Sequence, residues 1–227
     1  MRPLRRLLPP STTSSAMYTP RAFKEERPEV LRAAIEHINL ATLVTVAARI
    51  RASHIPMLLD ASPGQPLTLI GHLARANDQW KNSDGHALAV FLGPHHYISP
   101  SWYPSKVETG MVVPTWNYIA VHAQGDITFF DDEARLRDLL TRLTATHEFG
   151  RKAPWQITDA PADYIARQMR AIVGFSLRID SLQGQWKLSQ NKDQADYGGV
   201  MRGLEDDGAH DILSWSSEPN KSAKTNP

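Results

Sequence analysis

Between residues 28 and 39 the apolar positions Val30, Leu31, Ala34, Ile35 and Ile38 return at helical spacing and share one face. Pro28 suits the first position of such a helix and Asn39 a stop. Two short apolar runs follow, "LATLVTVAA" (40–48) and "RASHIPMLLD" (51–60), and both predict strands, the first because it is rich in β-branched residues. "ASPGQP" is a turn by composition, and "LTLIGHL" (67–73) a third strand. The polar "ARANDQWKN" (74–82) predicts a brief helix and "HALAVFLG" (86–93) a fourth strand. Prolines at 94, 100, 104 and 114 rule out regular sheet throughout the next stretch, because each removes a ladder donor. "TWNYIAVHAQGDITFFDD" (115–132) alternates as one long strand or a hairpin. Asp131 or Asp132 then caps a helix whose buried stripe is Leu136, Leu139, Leu140 and Leu143. Glu133 and Arg137 stand one turn apart on it and can pair. "PADYIARQMR" (161–170) is another helix, "AIVGFSLRID" (171–180) a final strand, and "GQWKLSQNKDQ" (184–194) leads into a last short helix.

The order is a helix, several strands, a helix pair, then a strand. Regular β–α alternation is missing, which argues against a doubly wound parallel sheet. Many strands close together in sequence predict a mainly β fold, an antiparallel barrel with helices at its edges. The domain runs over 17–204. Residues 1–16, "MRPLRRLLPPSTTSSA", carry three arginines, no acid and many Ser, Thr and Pro. That composition fits a transit peptide, but a disordered extension, or a start placed ahead of Met17, is the favoured reading. Residues 205–227 read as a flexible tail.

Composition narrows the chemistry. The 227 residues carry a formal net charge of +1, so no strongly basic surface for nucleic acid is expected. Zero cysteines exclude disulfides, thiolate metal sites and cysteine catalysis, and fit a reducing compartment. No apolar run approaches the length that spans a bilayer. His95 and His96 are neighbours, so on a strand they point to opposite faces and serve one metal poorly. His54, His72 and His122 fall in predicted strands, where wall or core roles outweigh a metal site. Ser53 precedes His54 without a nucleophile-elbow pattern. In "GHLARAN" a strand ends at Gly71 and a helix is expected to start near Ala74, where free N–H groups and Arg75 would suit an anion. Phe91, Tyr97, Trp102, Tyr103, Trp116 and Tyr118 crowd into a short stretch. Trp102 and Tyr103 lie among Pro, Ser and Lys, which favours a ligand wall or interface over plain core.

Six segments in order, "MYTPRAF", "SHIPMLL", "GHLARANDQW", "FLGPHHYISPSWY", "VPTWNYIAVHAQG" and "IVGFSLRIDSLQGQWKLSQN", resemble the PaiB-type FMN-binding negative transcriptional regulators, from about Met17 to Leu204. The resemblance implies an FMN-binding split β-barrel, a homodimer with flavin at the subunit interface, and a repressor's role in the cytoplasm. Residue by residue it implies that Ser53, His54, Ile55 and Pro56 face the isoalloxazine and that Gly71 and His72 continue that wall. Ala74, Arg75, Ala76 and Asn77 would grip the phosphate, with Trp80 packed beneath. Trp116, Asn117, Lys187, Ser189 and Gln190 would reach the dimer cleft. Trp102 and Tyr103 would line or lid it, with His95 and His96 divided between interior and interface. Asp78 departs from the family's usual Pro, and the loop after "VTVAA" lacks the usual Gly. Contact with DNA is left open, since no helix-turn-helix pattern is present. The rival readings are an FMN-dependent oxidoreductase acting on a small molecule, and a haem-binding relative on the same barrel.

Overall fold

The computed structural model describes residues 17–62 and 64–216. The expected extension over 1–16 and the last part of the expected tail, 217–227, lie outside the described residues. Eight strands form one antiparallel sheet: β1 Lys24–Glu25, β2 Leu40–Val46, β3 Ile50–Pro56, β4 Leu58–Asp60, β5 Thr68–Ala74, β6 His86–Ile98, β7 Thr115–Phe130 and β8 Ile172–Lys187. Their order is β3-β2-β6-β7-β8-β5-β4, with β1 paired to the far end of β8. The sheet curls until Pro56 of β3 comes against Gly71 of β5 and Ser53 bonds the turn that follows β5, which makes a split barrel with helices around it. Among the described residues no helix is long and apolar enough to cross a membrane.

Inward positions fill the barrel with Leu43, Leu69, Phe91, Ile119, Val121, Phe175 and Leu177, all essentially unexposed. The first helix, α1 Pro28–Ile38, packs Leu31, Ala34 and Ile35 onto this core. It stops where Asn39 turns left-handed at φ 46°, a conformation Asn tolerates better than most residues. The helix α2 Ser105–Thr109 is a single short piece. Helices α3 Glu133–Glu148 and α4 Ala162–Arg170 share a satellite cluster of Leu136, Ile165 and Met169. The Asp132 carboxylate accepts from the Arg135 N–H and caps α3, and Arg137 reaches Glu133 at 3.3 Å.

Several boundaries differ from expectation for identifiable reasons. The run 51–60 breaks into β3 and β4 at Met57, whose N–H bonds the Asn39 carbonyl. Strand β6 runs on through Gly93 and Pro94 to Ile98, because the register shifts between Leu92 and His95 and the proline needs no ladder donor there. Strand β8 continues seven residues past Asp180, paired throughout to β7. The chain from Glu205 to Ser216, expected as loose tail, is helical instead. Helix α5 Gln194–Asp206 is followed by α6 His210–Ser216, which buries Ile212 and Ser216. No helix begins near Ala74: that residue still pairs with Ile172 as the last rung of β5, and only one 3-10 turn, Asp78–Lys81, follows.

Candidate functional site

The residues expected to hold a cofactor fall into two groups on one chain. The first lies at the split. Ser53 Oγ donates to Gln79 Oε1 at 2.6 Å, and Asn77 Nδ2 donates to Ser53 Oγ at 2.8 Å. The Gln79 N–H returns to Asn77 Oδ1 at 3.0 Å, while Gln79 Nε2 donates to the Leu43 carbonyl. This relay ties the edge strand β3 to the turn after β5. Gln79 is 1% exposed. It was not among the expected site residues, since it sits in a polar run with no periodicity to mark it. Ile55 is buried. His54 projects from the outer face, its Nδ1 3.0 Å from Thr42 Oγ1. Gly71 lets the strands close: a Cβ there would lie 3.0 Å from the Pro56 carbonyl and 2.7 Å from the Phe175 ring. His72, next to it, has a buried Nδ1 with no partner among the described residues, and burial holds its pKa below the ordinary histidine value.

Arg75 does not point into an open anion site. Its Nε donates to the Arg170 carbonyl at 2.8 Å and its Nη2 to the Ile172 carbonyl at 3.1 Å, with Asp131 3.4 Å away. It therefore staples the turn to the junction of α4 and β8. Ala74 and Ala76 are exposed beside it, and Trp80 packs against the turn, its indole N–H donating to the Arg75 carbonyl. Asp78, where the family pattern has Pro, pairs with Arg51 of β3 at 2.5 Å and adds a second tie across the split.

The second group lies on the far wall, where β6 and β7 meet the end of β8. Trp116 is 51% exposed, with the rings of Tyr97 and His95 each centred 6.0 Å away. Lys187 Nζ donates to Thr115 Oγ1 at 2.5 Å and lies 6.0 Å from the Tyr118 ring centre. Partial desolvation lowers its pKa. Asn117 faces inward, fully buried: its Oδ1 accepts from Ser189 Oγ at 2.9 Å, and its Nδ2 has no partner among the described residues. Ser189 has φ 64°, an uncommon conformation for a serine, and the bond to Asn117 helps hold it. Gln190 folds back on its own turn, accepting from the Leu188 N–H and donating to the Trp186 carbonyl. Gln190 also lines a cavity of about 1450 Å³ walled by α1, the end of β8, α5 and α6.

Trp102 and Tyr103 are not an open wall. The Trp102 ring presses on Gly203 of α5 and its carbonyl on Gly199, so tightly that a Cβ at either glycine would collide with it. His96 stacks on the indole and bonds Asp207 at 3.1 Å, while His95 is exposed, its Nδ1 3.3 Å from the Gly93 carbonyl. Tyr103 is buried beneath, its ring 4.4 Å from Lys192 Nζ.

The two groups are far apart. His72 stands opposite Gly174 of β8, and Tyr118 opposite Lys187. Thirteen residues of β8 separate those rungs, roughly 40 Å measured along the curved strand. In the sheet order the split between β3 and β5 and the β6–β7 hairpin also lie on opposite sides of the barrel.

The chain matches the family described as "Putative FMN-binding domain" over residues 17–181. It is 30% identical to the protease synthase and sporulation protein PAI 2 of Bacillus subtilis, covering 84% of this chain and 90% of that one. It is 32% identical to an uncharacterized protein of Emericella nidulans, covering 83% of this chain and 90% of the other. Among solved structures it superposes on a flavocytochrome of Azotobacter vinelandii with a TM-score of 0.53 at 15% identity, over 78% of this chain and 75% of that one. It superposes on an FAD- and haem-binding protein of Mycobacterium smegmatis with a TM-score of 0.52 at 17% identity, over 72% and 73% of the two chains. These structural likenesses speak for the curled antiparallel barrel, and the sequence matches for more: the chain belongs to the family described as a putative FMN-binding domain and is a relative of the Bacillus protein.

Proposed function

We propose that the protein works as a cytoplasmic homodimer that binds FMN between its two copies and serves as a negative regulator of transcription. The observation that carries the dimer is the separation just described. One chain holds two sets of candidate cofactor residues, one at the split beside the Gly71–His72 rung and one on the wall where Tyr118 pairs with Lys187. A two-fold axis that brings the far wall of one copy to the split of the other unites them.

The residues present fit such a ligand. Strand β3 ends the sheet, and its outer edge over Ser53–Ile55 pairs with no further strand. His72 Nδ1 is a buried polar atom with no protein partner among the described residues. Lys187 supplies a cation on the opposite wall. In this reading the edge of β3 and the Gly71–His72 rung orient the ring system, and the exposed turn at Ala74–Asn77 receives the phosphate. Arg75 keeps that turn in place. Trp116 and Lys187 close over the ring from the second copy. When bound, the flavin supplies one- and two-electron redox chemistry, and the chain supplies position, water exclusion and charge.

The regulatory half of the reading is supported by the Bacillus relative, whose name ties it to protease synthesis and sporulation. The chain's net charge of +1 favours action through another protein over a broad DNA-binding face. FMN titration followed by visible absorbance tests the cofactor: a flavin band that stays with the protein and is released on denaturation is expected, and a colourless protein that takes up no FMN contradicts it. Gel shifts with and without FMN test direct repression. Bleaching of the bound flavin by a nicotinamide reductant at catalytic rates would favour the oxidoreductase reading instead.

A further inference from the structure

Four elements each turn one face toward the cavity of about 1450 Å³, which the flavin reading does not use. Helix α1 gives Val30, Ala33 and His37, a second stripe at helical spacing beside the one it buries in the barrel. The end of β8 gives Trp186 and Leu188, which are buried and make the floor. Helix α5 gives Met201, and α6 gives Leu213 and Trp215. A helix face turned away from the core is ordinarily polar. Here Val30, Met201, Leu213 and Trp215 are apolar and only partly buried. Their rings form a corner. Trp186 and Trp215 are centred 6.1 Å apart at 62°, and His37 stands 5.5 Å from Trp215 at 69°. Most polar groups of the walls are already matched. Gln190 bonds its own turn, and Tyr197 Oη donates to the Ser216 carbonyl at 2.9 Å. The buried Glu25 carboxylate pairs with Arg27 at 2.7 Å.

We propose that this cavity is a second ligand site and that it takes a lipophilic organic cation, a flat aromatic body of several rings that carries an amine or quaternary nitrogen. The inference goes beyond the flavin reading and does not depend on it. The walls call for an apolar body, because covering the half-buried Val30, Met201, Leu213 and Trp215 removes apolar surface from water. Size calls for several rings, since the volume exceeds the roughly 300–1,000 Å³ of common small-molecule sites. Charge calls for a cation. Arg27 is matched by Glu25, and Lys192 Nζ lies over the Tyr103 ring, 4.4 Å from its centre. Glu29 on the α1 wall has no ion-pair partner among the described residues, and Glu205 on the α5 wall has only His210 at 3.9 Å. Indole rings beside two such carboxylates favour a positive ligand. The same carboxylates oppose a phosphate ester, which sets the cavity apart from the candidate flavin residues. The chain that follows Ser216 on the cavity wall reads "SEPNKSAKTNP" and carries no aromatic, Leu, Ile, Val or Met to lay on an apolar floor.

The test uses the full chain and two xanthene dyes of similar size and opposite charge, cationic tetramethylrosamine and anionic fluorescein, followed by fluorescence polarisation. One rosamine per chain is expected, held at least tenfold more tightly than fluorescein. Ala33→Trp, at an exposed position on the α1 wall, fills part of the cavity and should weaken rosamine binding at least tenfold while the melting temperature holds. Glu29→Gln with Glu205→Gln alters only exposed side chains and should weaken it several-fold and erase the preference over fluorescein. Equal binding of the two dyes by the wild-type chain, or undiminished binding by both variants, overturns the proposal. Loss of rosamine binding on dimerisation would give the cavity to a second copy and overturns it as well. Displacement of rosamine by FMN would make the cavity the flavin site, with the same consequence. A chain that takes up FMN but no rosamine refutes this inference alone. A chain that binds rosamine but no FMN supports it and refutes the flavin reading.

Discussion

The split and the far wall are built from similar residues, yet they are put together in opposite ways. At the split, polar side chains do the tying: Ser53, Asn77 and Gln79 form a relay between β3 and the turn after β5, and Arg75 staples that turn to β8. The outer edge of β3 pairs with no further strand. On the far wall the polar groups Asn117 and Ser189 are sunk inward and aromatic rings are left outside. Behind them Trp102 is locked against α5. One region offers a strand edge and a shaped turn, and the other offers exposed rings and a lysine. In the proposed dimer each region would be half of a binding site, and a single copy would not suffice.

The largest effect is expected on the far wall. Trp102→Ala should empty the groove between Gly199 and Gly203 and cost about 3 kcal/mol, seen as a melting temperature lower by roughly 6–12 °C. If Trp102 instead lined the cleft, FMN affinity would fall with stability unchanged. At the split, Ser53→Ala removes the centre of the relay and should cost about 1–2 kcal/mol, because Gln79 and Asn77 lose their partner in a closed setting. Unchanged stability in thermal melts would show that the relay does not close the barrel.

The two histidines with buried, unpartnered Nδ1 atoms, His72 on β5 and His122 on β7, set a pH dependence. Burial lowers both pKa values, so the unfolded chain takes up protons more readily than the folded one. Stability is then intact above the ordinary histidine value, about 6.5, and is lost as pH falls through it. Going from pH 7.5 to 5.5 should lower the melting temperature by about 2–4 °C for each kcal/mol involved. His72→Gln with His122→Gln should flatten that part of the profile. Smallest is Arg51→Ala, which breaks a partly exposed ion pair with Asp78 and should cost under about 1 kcal/mol. A larger loss would mean that this pair bears on closure of the split.

Much of the frame was legible because it rests on periodicity. The α1 face with its Asn39 stop and the leucine stripe of α3 follow directly from spacing and capping chemistry. What could not be read is non-local. Pro94 looks like a strand end until a bulge in the pairing with β7 leaves its nitrogen without a ladder role. "GHLARAN" looks like a strand running into a helix until β8 supplies partners as far as Ala74. Arg75 looks like an anion ligand until the chain nearly a hundred residues later brings carbonyls to its guanidinium. Trp102 looks like a lid because its local neighbours are polar, while its true neighbours are glycines of α5. The family resemblance named the candidate residues by motif, and only the register along β8 shows that they fall on two separate stretches of that strand.

That division is tested most directly by sedimentation of the purified chain titrated with FMN, reading mass and bound flavin in the same boundary. The account predicts a dimer carrying two FMN, with flavin absorbance confined to the dimer and lost as dilution produces monomer. A monomer that holds one FMN with undiminished affinity would contradict it.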